Sequence, residues 1–456
     1  MFRNRGFMLD ISRDKVPTMP TLRMIVDLLA RNHYNQLQLY TEHTFAYAEH
    51  RRVWEHSSPM TAQEIRELDA CCRARGIELV PNQNSFGHLE RWLVFPEYND
   101  LAELPRGGAP LPWGGTKKFP TTLAPSNPGS LRFVAGLFDE LLPNFSSRLL
   151  NIGCDETFDL LGKGGRSAAD VAARGEGRVY LDFVKKVMAL ARERGKRPMF
   201  WGDVILRHPE LVPEIPRDAI ALDWGYEGNH PFQEETKRFK EAGVEFYVCP
   251  GTSSWNSLCG RVENMRENLA AAEKAGRESG ASGYLVTDWG DGGHWQPLAA
   301  SLPGLILGGA FAASGPSAAH MNLEDALDSA MGVPLGGTLL RLGVLYLRGN
   351  AMRANASELF RILAGDRTYS RHPNLKDSML VEIAAVAAGC RKKAERYASE
   401  NTWAEEIVYM ANLVEAACYR RDAGRLAALR EEHGRVWRRR NREGGRADSL
   451  AKLPRF

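Results

Sequence analysis

The run Arg148-Leu149-Leu150-Asn151-Ile152-Gly153-Cys154-Asp155-Glu156 is apolar until it ends in two adjacent carboxyls. It reads as a buried strand that delivers Asp155 and Glu156 to an open rim. Neighbouring carboxyls push one pKa of the pair upward, so a strand end carrying such a pair is a candidate for chemistry. Seven more apolar runs of this kind flank it: Phe7–Ser12, Gln36–Thr41, Glu78–Asn84, Pro198–Val204, Ile220–Tyr226, Glu245–Gly251 and Gly283–Gly290. Stretches of helical periodicity separate them, among them Thr21–Arg31, Thr61–Arg75, Arg178–Arg194 and Phe232–Ala242. Near-continuous apolar strands alternating with helices indicate parallel strands covered by helices. Eight such units predict a (β/α)8 TIM barrel over residues 1–315.

Past Gly315 the strand-like runs give way to amphipathic stretches, Leu339–Arg348, Leu375–Tyr397 and Thr402–Arg440, which predict a helical C-terminal domain over 316–456. The basic run Arg438-Arg439-Arg440-Asn441-Arg442 reads as cations at a helix C-terminus, where the macrodipole favours them. Leu89 to Pro128 is long and rich in Pro and Gly, and predicts a rim or lid over the site.

The composition, 44% hydrophobic and 25% charged over 456 residues, is that of an ordinary globular chain. A net charge of +3 is too small to imply a nucleic-acid partner. Seven cysteines without a CxxC pair support neither a zinc site nor a disulfide framework; reduced thiols in the cytoplasm are expected. The N-terminal MFRNRGFMLDIS runs almost directly into a strand, so no export signal is expected. No stretch approaches ~18 uninterrupted apolar residues, so no membrane span is expected. The extra helical domain offers a surface for a homodimer.

Seven of the eight strand ends carry polar or aromatic residues, including Glu42-His43, Asn84 to His88, Trp201-Gly202-Asp203, Asp223 to Tyr226, Trp255-Asn256 and Asp288 to Asp291. The C-terminal face of a barrel is where its active site is built. Trp201, Trp224, Trp255, Trp289 and Trp295 lie at or just past strand ends, which suggests ring faces around a ligand with apolar CH surfaces, such as a pyranose. Glycosidases commonly set two carboxyls on opposite sides of the bond they cleave. Adjacent Asp155 and Glu156 suit another scheme, in which one protonates the leaving oxygen and the other orients a group of the substrate. His88, among the amides of the third strand end, reads as a supporting residue. Arg5, just before the first strand, reads as a bidentate donor to hydroxyls or a carboxylate.

RGFMLDISR at Arg5 to Arg13, NIGCDE at the fourth strand and the later tryptophans together resemble glycoside hydrolase family 20, the β-N-acetylhexosaminidases. GCDE, the FGH ending at His88 and the helical C-terminal part look most like the branch that contains hexosaminidase D and streptococcal N-acetylglucosaminidases. The resemblance implies a retaining exo-enzyme removing terminal β-linked GlcNAc or GalNAc without cofactor or metal. By it, Glu156 is the general acid/base, and Asp155 orients a 2-acetamido group that attacks C1 to form an oxazolinium intermediate. It makes Arg5 and Asp291 binders of sugar hydroxyls and encloses the sugar with Trp201, Trp224 and Trp289. Tyr226 is the candidate to hold the acetamido oxygen, and Glu42 the acidic residue after the second strand. Many members have an Asp four residues before the supporting His; here that position is Asn84. The Tyr-x-Asp usual near the seventh strand is replaced by Ser254-Trp255-Asn256.

Two other readings use the same residues. Glu42, His43, His88, Asp155, Glu156, Asp203 and His294 could ligate the metal of a sugar isomerase, and the aromatic rim alone would serve a non-catalytic glycan-binding barrel.

Overall fold

A computed structural model describes residues 1–365, 369–420 and 422–454. Eight parallel strands form one sheet: β1 (Asn4–Asp10), β2 (Gln36–Tyr40), β3 (Glu78–Val80), β4 (Leu149–Asn151), β5 (Arg197–Trp201), β6 (Ile220–Trp224), β7 (Glu245–Cys249) and β8 (Gly283–Asp288). Their order is β3-β2-β1-β8-β7-β6-β5-β4. The barrel closes between the two shortest strands through a parallel bridge from Asn82 to Asn151, with Gln83 N–H donating to the Asn151 carbonyl at 3.0 Å. Alternate residues explain the apolar runs. Met8, Tyr40, Val80, Met199, Ile220, Leu222, Tyr247 and Leu285 fill the interior, while Phe7, Leu9, Leu37, Leu39, Val248 and Val286 face the helix layer.

The covering helices are α1 (Met19–Arg31), α2 (Ala62–Arg73), α3 (Pro128–Leu141), α4 (Glu176–Glu193), α5 (Asp203–Leu206), α6 (Phe232–Ala242), α7 (Val262–Ser279) and α8 (Leu298–Ser314). Local chemistry starts them. The Thr18 side chain caps α1, and Thr61 with Glu64 forms a capping box on α2. The fifth helix is reduced to a single turn.

Leu298–His320 is, by length and composition, long and apolar enough to cross a bilayer, yet 83% of its apolar window is buried. A helix apolar all round is one covered on all sides, and here the barrel and the C-terminal helices cover it. Those helices include Leu323–Met331, Gly336–Gly343, Asp377–Ala394, Thr402–Cys418 and Ala423–Arg440. The single stretch expected over Thr402–Arg440 is two helices, the second capped by the Asp422 side chain. The basic run is neutralised in place: Arg438 pairs with Glu443, Arg439 with Glu405, Arg440 with Glu406, and Arg442 with Glu64 of the barrel. A short hairpin, Met352–Arg353 against Ala356–Ser357, interrupts the helices and reaches the barrel mouth.

Candidate active site

After Asn151 the chain leaves β4 through three non-extended residues, Gly153 (φ +70°), Cys154 (φ +74°) and Glu156 (φ +47°). Left-handed backbone at a non-glycine residue costs of order 1–3 kcal/mol and persists where the surroundings enforce it. Here Cys154 is buried, its carbonyl accepting from Tyr180 Oη at 2.9 Å. Gly87 and Gly153 let the third and fourth loops close on each other. A Cβ at Gly87 would lie 2.1 Å from the Asp155 carbonyl oxygen, and one at Gly153 2.4 Å from Asn84 Oδ1. The turn puts two adjacent side chains, which a strand would send to opposite faces, on the same side.

Both then meet His88. Its Nε2 lies 3.1 Å from Asp155 Oδ2 and 3.4 Å from Glu156 Oε2. Its Nδ1 faces Arg13 Nη2 at 3.3 Å and Glu42 Oε1 at 3.7 Å. Burial works against a charged ring, but Asp155 first and Glu156 next outweigh it and raise His88 to about 9. Burial pushes the Glu156 carboxyl above its ordinary value; the His88 cation draws it partway back and Asp155 adds to the rise. Asn84 gives its amide to Tyr40 Oη at 2.6 Å, so the carboxylate on the far side of His88 is Glu42.

Arg5 is not in the site. It lies at the start of β1, on the N-terminal face of the barrel, where its Nε donates to the His33 carbonyl at 2.6 Å and its Nη1 to the Phe2 carbonyl at 2.9 Å. The strand runs from Asn4, not from Phe7, and a residue at the beginning of a parallel strand faces away from the rim. The guanidinium in the cleft is that of Arg13, just past the other end of β1. It contacts Asp10 at 3.2 Å, Asp291 at 3.3 Å and Glu42 at 3.7 Å, and sits 5.1 Å over the Trp289 ring. Arg13 closes the RGFMLDISR run, so its position after the strand was the available signal.

The aromatics separate into a floor and its backing. Trp201 and Trp289 lie 6.1 Å apart, Trp224 stacks on Tyr226 at 5.1 Å, and Trp289 Nε1 donates to Tyr226 Oη at 2.8 Å. Trp255 packs edge-on behind Tyr226, its indole N–H held by Asn355 Oδ1 at 2.8 Å. Trp295 faces the helical domain instead, donating to the Ser449 carbonyl at 3.2 Å. Among the described residues no protein group bonds the buried Asp155 Oδ1, Trp201 Nε1 or Trp224 Nε1. One acceptor and two donors are thus offered to a polar ligand.

Above this floor is a cleft of about 690 Å³, lined by Arg13, Glu42, His88, Glu156, Trp224 and Asp291 together with Trp113, Lys117 and Thr121 of the long third loop. That loop is anchored, because the Asp159 carboxylate accepts from the Thr121 and Thr122 N–H groups at 2.8 and 2.9 Å. Asn355 and Lys452 complete the rim from the helical domain, and no local pattern marks residues so remote in sequence. In the sequence Asp203 reads as a polar residue of a strand end and as one possible metal ligand, without a role beside Glu156. It accepts the Glu156 N–H at 3.2 Å and is raised to about 7 by burial, then by Asp155 and Glu156. The seven residues that could supply ligands for an isomerase metal do not gather into a ligand set. Among the described residues no three of them bring ligating atoms within 4.8 Å of one another; His294 Nδ1 faces the Arg13 carbonyl at 3.1 Å.

Residues 2–299 match the family model for the glycosyl hydrolase family 20 catalytic domain. Hexosaminidase D of Bos taurus is 23% identical over 288 residues, covering 59% of this chain and 79% of its own length. Hexosaminidase D of Homo sapiens is 26% identical over 321 residues, covering 66% and 63%. A beta-hexosaminidase of Akkermansia muciniphila is 26% identical over 243 residues, and the match spans 48% of either chain, about half the length of that relative. Among solved structures, the Flavobacterium johnsoniae chitobiase superposes with a TM-score of 0.56 at 16% identity, covering 99% of this chain and 78% of its own. A beta-N-acetylhexosaminidase from Streptomyces coelicolor superposes with a TM-score of 0.52 at 19% identity, covering 73% and 70%. The structural likenesses speak for the fold.

Proposed function

The chain belongs to glycosyl hydrolase family 20, and from that membership we propose that it is a retaining exo-β-N-acetylhexosaminidase acting on terminal β-linked GlcNAc or GalNAc. The observation that carries the mechanism is the convergence of Asp155 and Glu156 on one nitrogen of His88. Both carboxyls stand on one wall. The other carboxylates that line the cleft have partners: Glu42 has Tyr40 and Arg13, Asp291 has Arg13, Asp14 has Arg91 and Lys452, and Glu90 has Lys117. A pair of opposed, free carboxyls, as two-carboxylate glycosidases use, is not supported, and the nucleophile is assigned to the substrate's own acetamido oxygen.

In this reading Glu156, whose burial favours the protonated form, gives its proton to the glycosidic oxygen. Asp155 accepts the acetamido N–H at its unpartnered Oδ1 and steadies the charge that develops on that group. Tyr226 Oη, whose lone pair takes the Trp289 N–H, keeps its own proton for the acetamido oxygen. That oxygen attacks C1 as the glycosidic bond breaks, giving the oxazolinium ion. Glu156, now ionised, takes a proton from the water that reopens it at the original face. Trp201, Trp224 and Trp289 enclose the ring, and Arg13 with Asp291 holds its hydroxyl edge. Product NMR tests the scheme directly: the β-anomer of the free sugar should form first, and α first would overturn it.

Arg13→Ala is expected to raise KM about 10- to 100-fold, the loss of charge-assisted hydrogen bonds. Arg5→Ala should leave KM unchanged and lower Tm, because Arg5 ties backbone carbonyls at the barrel base. Steady-state kinetics of the two variants distinguishes them. His88→Gln removes a cation that favours ionised Glu156. Glu156 then holds its proton to higher pH, so the alkaline limb of kcat/KM should move upward while kcat falls. A limb that stays in place would detach His88 from Glu156.

The reading extends to a reducing, cytoplasmic setting, supported by seven unpaired cysteines, and to a homodimer, which light scattering of the purified chain tests.

A further inference from the structure

One cluster outside the cleft has the composition of a cation site. Leu222 and Trp224 point into the barrel, so Asp223, between them on β6, points outward to the helix layer. There it meets His230, from the loop after β6, and Glu235, in the first turn of α6. One ligating atom from each of the three lies within 4.8 Å of the others. Asp223 is 1% exposed, and among the described residues no donor reaches either of its carboxylate oxygens. A buried carboxylate without donors is costly, and the group that acts on it electrostatically is a second carboxyl, that of Glu235. Burial and then Glu235 push Asp223 well above the ordinary carboxylate range, so this pair is stable only with a shared proton or a bound cation between the carboxyls.

The third member decides between them. The His230 ring packs on Gly225, where a Cβ would lie 2.1 Å from it, and edge-on to Phe232 at 4.4 Å. This fixes Nε2 toward Glu235 Oε2 at 2.7 Å. The His230 and Glu235 side chains are 21% and 22% exposed, leaving a path for an ion and a water. We propose that Asp223, His230 and Glu235 bind a divalent transition-metal ion of the zinc type. Two carboxylates and a neutral imidazole balance its charge, and a tetrahedral site with bonds of about 2.0–2.1 Å needs ligand atoms about 3.3 Å apart, which small side-chain adjustments supply. Nitrogen in the set disfavours Ca²⁺ and Mg²⁺. The ion would clip β6, which ends at Trp224, to α6 across the loop that carries Tyr226, so its role is to fix the floor of the cleft from behind. The inference does not depend on the reaction proposed above.

The full-length protein, stripped with a chelator and dialysed, is titrated calorimetrically with Zn²⁺ alone. One ion per chain is expected, with a Tm that rises on saturation. X-ray absorption should show nitrogen and oxygen near 2.0–2.1 Å and no sulfur near 2.3 Å, which separates the site from the free cysteines. Asp223→Asn and His230→Ala should each weaken binding about 100-fold or more. His230 is more accessible than the buried Asp223, so its variant serves if Asp223→Asn does not fold. Absence of Zn²⁺ binding by the wild type, sulfur ligation, or unchanged affinity in His230→Ala would overturn the site and leave the carboxyl pair sharing a proton.

Discussion

An aryl β-N-acetylglucosaminide is expected to be hydrolysed with a kcat/KM at least about 10⁴-fold above that of the matching aryl β-glucoside, with the β-N-acetylgalactosaminide close to the former. The two sugars differ at C2 alone, and so does the mechanism open to them. With the acetamido group present the nucleophile is intramolecular, where effective molarities of about 10⁵–10⁸ M are attainable in well-aligned systems. Without it, a water or a protein carboxylate would have to attack. The remaining carboxylates of the cleft, Asp14, Glu42, Glu90 and Asp291, are each paired with a cation. The glucoside would also leave Asp155 Oδ1 buried and unpaired, an added penalty on binding. Paired assays with a common leaving group measure the ratio. Comparable rates on the glucoside would remove the substrate-assisted scheme, because that sugar brings no nucleophile.

Glu156→Gln should lower kcat about 10²- to 10⁴-fold, the usual span for a general acid/base. The loss should be greatest on natural glycans and smallest on aryl glycosides whose leaving group departs without a proton. Asp155→Asn acts on the other partner of the reaction. It weakens the alignment of the acetamido group, so its loss should vary little with the leaving group. The contrast between the two slopes assigns the roles, which a simple loss of activity would not. Unchanged turnover in Glu156→Gln would return the chain to the glycan-binding reading.

The barrel was legible because it rests on local signals. Parallel strands buried on both faces give continuous apolar runs, and Phe7, Leu37, Val248 and their neighbours show that pattern wherever they occur. The acidic pair was legible for the same reason: Asp155 and Glu156 follow a strand directly, and strand ends of one kind share one face. Strand boundaries were less so. β3 and β4 are three residues each, because Asn82, Asn84 and the left-handed residues after Gly153 take over the hydrogen bonding that a longer strand would use. That error is harmless at β4 and misleading at β1, where a late start made Arg5 look like a rim residue and left Arg13 unassigned.

Sequence alone determined the architecture and the face of the barrel that carries the cleft, and it put Asp155, Glu156, Trp201, Trp224 and Trp289 at that face, since each follows from periodicity and position at a strand end. Tertiary structure decided the rest. It turned two adjacent carboxyls to the same nitrogen, replaced Asn84 by Glu42 behind His88, separated Trp295 and Trp255 from the floor, and brought Asn355 and Lys452 to the rim from the helical domain. Periodicity reports which way a side chain leaves its own element. It carries no information about which distant loop will stand opposite, and at this site the chemistry depends on that convergence.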